Sequence, residues 1–364
     1  MRQPPPTAVQ VVVIGAGQAG LSAAYHLVRM GFAPFHDVVV LDANDRPGGA
    51  WQHRWPSLTM ADVHGVASLP ARTVPDAAGE ERANEFVPRY FADYEDRFDL
   101  PVLRPVTVRT VRDLGAGGDD RLEVATDRGA WTADAVVNAT GTWDRPFVPW
   151  YPGIDTFRGR QLHTADYRGP QQFAGQRVVV VGGGHSAVQL LAEISQTAST
   201  RWVTRRPPQW RTEQQLTPEL GRAVVAKVEE RVRAGLPPQS VVEVTGLFLR
   251  PQERAAAVRG VYDREPMFAR VEPDGVRWAD GRFEPADVIL WATGFRAALG
   301  HLTPLGLREP SGGVRMEGTR AARDARVHLL GYGPSASTIG GNRAGLAAAR
   351  GLRRLLHDRA ETAA

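Results

Sequence analysis

The chain is expected to fold as an α/β protein with two Rossmann-like dinucleotide-binding domains, each carrying a parallel sheet and a small β-meander. Three observations predict this. A β-branched run feeding a glycine-rich turn occurs twice, as VVVIGAGQAG at 11–20 and VVVVGGGHSA at 178–187. Each is followed by a second apolar run that ends in Ala-Thr-Gly, at 139–141 and 292–294. Each interval between turn and Ala-Thr-Gly contains short β-like runs split by turn residues.

Val11 to Ile14 form a continuous apolar run, the pattern of a parallel strand buried on both faces. Gly15 allows the tight turn, Gly17 lets a pyrophosphate approach the backbone, and Gly20 lets the next helix pack on the strand. That helix, from about Gln18 to Met30, offers free N–H groups to phosphates. A second strand, Val38 to Leu41, ends at Asp42, twenty-two residues after Gly20. An acid at this distance takes ribose hydroxyls. An ordinary glycine loop lacks this full order of strand, turn, helix, strand and acid.

Val106 to Leu114 and Leu122 to Thr126, split by residues 115–120, read as a hairpin. In the second unit Gly182, Gly184 and Ala187 repeat the turn, and a helix is expected from about Ser186 to Ser199. The strand Arg201 to Thr204 ends in Arg205 and Arg206 rather than an acid. Guanidinium groups there pair with a 2′-phosphate, so this unit is expected to take NADP(H). A solvated basic turn is the alternative. The segment Thr217 to Gly235 reads as an amphipathic helix, with Leu220, Val224, Val228 and Val232 on its apolar face. Phe268 to Val271 and Val276 to Trp278 form another hairpin. Val327 to Leu330 is a short strand, residues 331–341 a glycine- and serine-rich loop, and Asn342 to His357 a helix whose N-terminus is available to a flavin ring. These readings divide the chain into 7–150 and 287–360 as two parts of one domain, with 151–286 inserted between them.

Composition narrows the function. With 44 Lys+Arg, 40 Asp+Glu and a net charge of +4, the chain is too weakly basic to imply a nucleic-acid partner. Nothing approaches the length of a membrane span, and MRQPPPTAVQ does not read as a targeting segment. There is no cysteine, so reduction of a disulfide through active-site thiols is excluded. The same count fits a cytoplasmic location. No metal site is expected, and monomer and homodimer both stay open.

The chain resembles the class B flavin-dependent monooxygenases, above all the bacterial proteins similar to flavin-containing monooxygenases. Phe157, Gly159, His163 and Tyr167 match the identifying sequence of that family at its spacing, between the two glycine turns. Gly48-Gly49-Ala50-Trp51 is similar to its GGxW segment, and Trp291 to Phe295 to its second Ala-Thr-Gly motif. Tyr167-Arg168 stands where the Baeyer–Villiger branch has Trp-Pro, which favours heteroatom oxygenation.

The resemblance implies FAD in the first unit, with Gly15, Gly17, Gln18, Ala19, Gly20, Asp42, Gly49, Trp51, Thr140, Gly141 and Gly331 in contact. It implies NADPH in the second, with Gly182, Gly184, His185, Ser186, Arg205, Arg206, Thr293 and Gly294. It further implies a small-molecule substrate, an amine or sulfide, oxygenated by molecular oxygen through a flavin C4a-(hydro)peroxide. Two positions depart from the family. Ser57 to His64 contains no asparagine where many members have one; Asp62 and His64 are the candidates to replace it, with a salt bridge and a core histidine as the plainer readings. His185 and Gln189 also replace the usual residues of the second glycine helix. His163 is the remaining catalytic candidate, as a linker residue near the nicotinamide. The missing asparagine keeps open an NAD(P)H:acceptor reductase, and fold alone leaves open a flavin-bound sensor without activity.

Overall fold

Residues 7–63, 65–115, 120–211, 218–238, 246–247 and 249–363 are described by the structure, a computed structural model. The strands in chain order are β1 Ala8–Ile14, β2 Val38–Leu41, β3 Val102–Leu103, β4 Val108–Asp113, β5 Leu122–Thr126, β6 Gly129–Asn138, β7 Arg160–His163, β8 Arg177–Val181 and β9 Ser199–Thr204. They continue with β10 Arg264–Pro266, β11 Arg270–Glu272, β12 Gly275–Arg277, β13 Phe283–Pro285, β14 Val288–Trp291, β15 Met316–Glu317, β16 Arg320–Ala321 and β17 Asp324–Leu329.

One sheet runs β15-β16-β17-β6-β1-β2-β3, and β4 and β5 join it as an antiparallel meander on β6. Its centre is parallel, with Ile14 opposite both Leu41 and Asn138. The second sheet is wholly parallel, β10-β9-β8-β14-β7, with Val181 beside Val203 and Trp291, and Trp291 beside His163. β11 to β13 form a separate small meander. Val11, Val12 and Val13 are fully buried, as are Val180 and Val203, which is why both central strands read as unbroken apolar runs.

The helices are α1 Gln18–Arg29, α2 Ala83–Arg97, α3 His185–Ile194, α4 Pro218–Arg233, a short helix Pro251–Val258 and a C-terminal helix Thr338–Ala363. α4 buries Val228 and Val232 as its pattern predicts, while Thr217 and the side chains of Leu220 and Val224 lie outside the described residues. Among the described residues no helix is long and apolar enough to cross a membrane.

Three expectations need correction. β14 pairs with β7 and β8, so the strand placed at the head of the 287–360 segment belongs to the second sheet. The chain returns to the first sheet only beyond Trp291. α3 stops at Ile194 rather than Ser199, because the Ser- and Thr-containing stretch after it turns back, with Thr197 and Ala198 donating to the Ile194 carbonyl. The C-terminal helix begins at Thr338, inside the expected loop, where Ser337 Oγ accepts the Gly340 N–H. Its glycines serve packing: a Cβ on Gly345 would lie 2.5 Å from Ser22 Oγ on α1.

The chain crosses between the sheets twice, after β6 and after β14. The two crossings run antiparallel: Phe147 N–H donates to Gly294 O at 2.9 Å and Arg296 N–H to Arg145 O at 2.8 Å.

Candidate active site

The two glycine turns are built alike. Gly15 has φ +98°, and a Cβ there would lie 2.7 Å from the Ala139 carbonyl oxygen. Gly182 has φ +143°, and its Cβ would lie 2.1 Å from the Ala292 carbonyl oxygen. Each first glycine therefore serves the close approach of its own Ala-Thr-Gly loop, at the carboxyl ends of the parallel strands, where ligands bind in such sheets.

In the first turn Gly20 lets α1 sit on Gly15, whose carbonyl oxygen would be 1.9 Å from an added Cβ. Gly17 caps α1 without a side-chain bond and no acid lies in the first turn, so the N–H groups of Ala19 and Gly20 are left open in a form suited to an anion. The close backbone approach at Gly17 is made by Gly49, whose Cβ would lie 2.8 Å from Gly17 Cα. Gly331 approaches Gly141 at the same rim, 3.8 Å from Gly141 Cα to an added Cβ. Gln18 Nε2 donates to Asn342 Oδ1 at 2.9 Å and so brings the C-terminal helix beside α1.

Asp42 directly follows β2, is 4% exposed, and accepts from Arg104 Nε at 2.8 Å and Asn44 Nδ2 at 3.0 Å. Arg104 grips Glu95 with two further bonds, 2.6 and 2.7 Å. Arg104 and Glu95 were not foreseen from the sequence, since neither lies in a motif. His53 Nε2 lies 2.7 Å from Asn44 Oδ1.

In the second turn Gly184 caps α3 and an added Cβ there meets nothing within 4 Å, leaving the helix N-terminus at His185 and Ser186 open. Burial, and then Arg250, pull the His185 imidazole down to about 4, so it is neutral at pH 7. Arg205 and Arg206 are exposed beyond β9. Thr204, 1% exposed, pins this turn by donating to Arg206 O at 2.7 Å while accepting from Arg264 Nε at 2.8 Å. Arg205 makes no ion pair among the described residues.

The loops of the two units meet in a line of rings. Trp143, two residues beyond Gly141, stacks on His53 at 5.8 Å and on Phe295 at 5.1 Å. Phe295 in turn meets the edge of His163 at 4.8 Å. His163 Nδ1 accepts the Ala165 N–H at 3.2 Å, so the proton sits on Nε2, which donates to Gly294 O at 3.0 Å. Burial lowers its pKa, which keeps this tautomer neutral. The geometry makes His163 a positioning residue. Trp143 could have been found from its place after Ala-Thr-Gly, which mirrors Phe295.

Trp51 packs against the cores of both units. The Arg54 guanidinium lies over it at 5.7 Å and over Trp143 at 5.3 Å. Asp62 is committed to a clasp: its carboxylate accepts from Thr59 Oγ1 at 2.7 Å and Gln252 Nε2 at 2.8 Å, with Arg250 at 3.8 Å, and its carbonyl accepts from Gln189 at 3.1 Å. His64 lies outside the described residues. Phe157 and Tyr167 are buried, and Gly159 lets the linker pass Asp287, whose carbonyl oxygen would be 2.4 Å from a Cβ. Tyr167 Oη and Ser57 Oγ both donate to Glu193, at 2.7 and 2.6 Å, a second clasp between linker, first unit and α3.

The family described as pyridine nucleotide-disulphide oxidoreductase matches residues 12–309. A flavin-containing monooxygenase from Stenotrophomonas maltophilia is 39% identical and superposes with a TM-score of 0.81, over 96% of this chain and 99% of that one. The chain belongs to the flavin-containing monooxygenases. That makes it a flavoprotein oxidoreductase of the class B type, and without cysteine the disulfide chemistry in the wider family's description is closed to it. Among curated relatives, a Baeyer-Villiger monooxygenase of Streptomyces coelicolor is 33% identical over 231 residues, 63% of this chain and 43% of that protein. Human flavin-containing monooxygenase 5 is 29% identical over 225 residues, 56% of this chain and 41% of that protein. The chain spans about half the length of the curated relatives it matches.

Proposed function

We propose that the chain is a FAD- and NADPH-dependent monooxygenase that adds one oxygen atom to a soft nucleophile, an amine nitrogen or a sulfide sulfur, of a small molecule. The observation that carries this is the His53–Trp143–Phe295–His163 line, which joins the two Ala-Thr-Gly loops that pack on the glycine turns at the carboxyl ends of the parallel strands. The residues fit the two cofactors. Gly15, Gly17, Ala19, Gly20, Gly49 and Gly141 leave the first turn bare beside a buried Asp42 for ribose, with Gln18, Trp51, Thr140 and Gly331 around it. Gly182, Gly184, His185, Ser186, Thr293 and Gly294 surround the second, with Arg205 and Arg206 for a 2′-phosphate.

The bound cofactors supply hydride transfer and activation of oxygen. The balance is substrate, O2, NADPH and H+ giving oxygenated substrate, NADP+ and water. The protein holds the rings in register, excludes water and fixes charge. No acid–base residue is needed beyond this, which agrees with the engagement of Asp62 in its clasp and of His163 with the backbone of Ala165 and Gly294. Heteroatom oxygenation is favoured by Tyr167-Arg168 at the end of the linker motif. The absence of cysteine fits work in the cytoplasm.

A second reading, NAD(P)H:acceptor reductase, is favoured by the lack of asparagine in Ser57 to His64. Anaerobic reduction of the purified protein by NADPH, then an oxygen pulse with a thioether, an amine or a ketone present, separates them. Sulfoxide or N-oxide formed in step with NADPH consumption supports the proposal. Peroxide released with no oxygenated product supports the reductase, and ester formed from the ketone overturns the preference for heteroatoms.

A further inference from the structure

Among the described residues Arg54 is a cation without a counter-ion. It follows the turn of helix Gly49–His53, and its guanidinium is held between Trp51 and Trp143. Among the described residues no carboxylate and no hydrogen-bond acceptor reaches that guanidinium; Arg54 is bonded through its backbone alone, its N–H donating to Trp51 O at 3.1 Å and its carbonyl accepting from Asn84 Nδ2 at 3.2 Å. Burial lowers its pKa with no compensating charge beside it. Two other little-exposed arginines among the described residues of the first unit, Arg104 and Arg326, are locked to carboxylates. Two aromatic faces offset part of the cost of desolvating a cation, and an anion bonded to its five N–H donors offsets the rest.

The phosphates of two dinucleotides already have receptors in the N-termini of α1 and α3 and in Arg205 and Arg206. Trp143, on which Arg54 lies, is the ring that bridges the two units. We propose that Arg54 receives a carboxylate of the substrate, so that the favoured substrates are amines or sulfides carrying an anionic group, recognised against Trp51 and Trp143.

This rests on the proposed oxygenation of a small amine or sulfide, and its test does not require turnover. The FAD-loaded protein is titrated with para-(methylthio)benzoate and with its methyl ester, following the flavin absorbance. The carboxylate is expected to bind about 10- to 100-fold tighter, the range for a charge-assisted bond. Arg54→Gln abolishes that difference and Arg54→Lys keeps part of it, with FAD content and NADPH affinity unchanged in both. Equal binding of acid and ester to the unaltered protein overturns the proposal. So does a fall in FAD or NADPH affinity in Arg54→Gln with the acid-over-ester preference intact, which would assign Arg54 to a cofactor phosphate. If the carboxylate binds through Arg54 and yet no sulfoxide forms, the Arg54 assignment stands and the monooxygenase reading fails.

Discussion

Replacing Arg205 and Arg206 together by alanine tests how the second turn chooses its nucleotide. A guanidinium bonded to phosphate contributes about 1.5–3 kcal/mol where water is excluded. Both side chains are exposed, so solvent and salt reduce this to about 1 kcal/mol each. The double variant should lose about 2 kcal/mol, or about 30-fold in the Kd for NADPH. NADH has no 2′-phosphate, and its Kd should move less than about twofold. Thr204 and Arg264 pin the turn through side chains the substitution leaves in place, so the loss is one of charge rather than of fold. Titration of both nucleotides at two salt concentrations reads the effect, and the NADPH preference of the unaltered protein should shrink as salt rises. An unchanged ratio of NADPH to NADH affinity, or an equal loss of both, would refute the assignment.

Gly182→Ala places a Cβ against the Ala292 carbonyl in a positive-φ backbone, and should cost about 2–4 kcal/mol in thermal unfolding. A variant as stable as the parent would contradict the close approach of turn and loop. Arg104→Met leaves Asp42 and Glu95 buried without their cation and should cost about 3–5 kcal/mol and release FAD, read from the flavin-to-protein absorbance ratio. Acid should also destabilise the fold. Burial pulls His185, His301 and His328 from 6.5 to about 4, so the unfolded chain takes up protons first as pH falls through 6.5, and stability drops until about 4. His301→Gln should flatten that slope in melting curves, since Gln can still donate to Asn138 as His301 does. Glu193 works the other way: burial raises its pKa, so stability gained from its protonation appears on the acid side, and Glu193→Gln should remove that contribution.

Both sheets were legible because their central strands are buried on two faces and read as unbroken valine runs. β2, β5 and β14 have the bounds their apolar runs suggest. The membership of β14 follows from the repeat, since its Ala-Thr-Gly run answers that of β6 in the first unit; the division at 287 cut it from its own sheet. The glycine turns and Asp42 announced themselves by spacing. Arg104, Glu95 and Glu193 did not, because their meaning lies in contacts across scores of residues: Arg104 to Asp42, Glu193 to Ser57. Asp62 looked like a candidate for chemistry only because it stood where the family has an asparagine. Its partners Gln252 and Arg250 arrive from a distant helix that periodicity cannot place beside it.

The antiparallel pairing of residues 145–147 with 294–296 has a consequence for how such a protein could arise. The second unit leaves and rejoins its host at two points side by side, so its ends are already neighbours. A gene segment carrying that unit could enter or leave with only a tight loop needed to heal the cut, and neither sheet would have to change a single strand partner. The exception is α4, whose Val232 packs with Leu302 and Tyr332 in the core of the first sheet, so a unit excised and closed between Phe147 and Gly294 would carry a helix stripped of its partner.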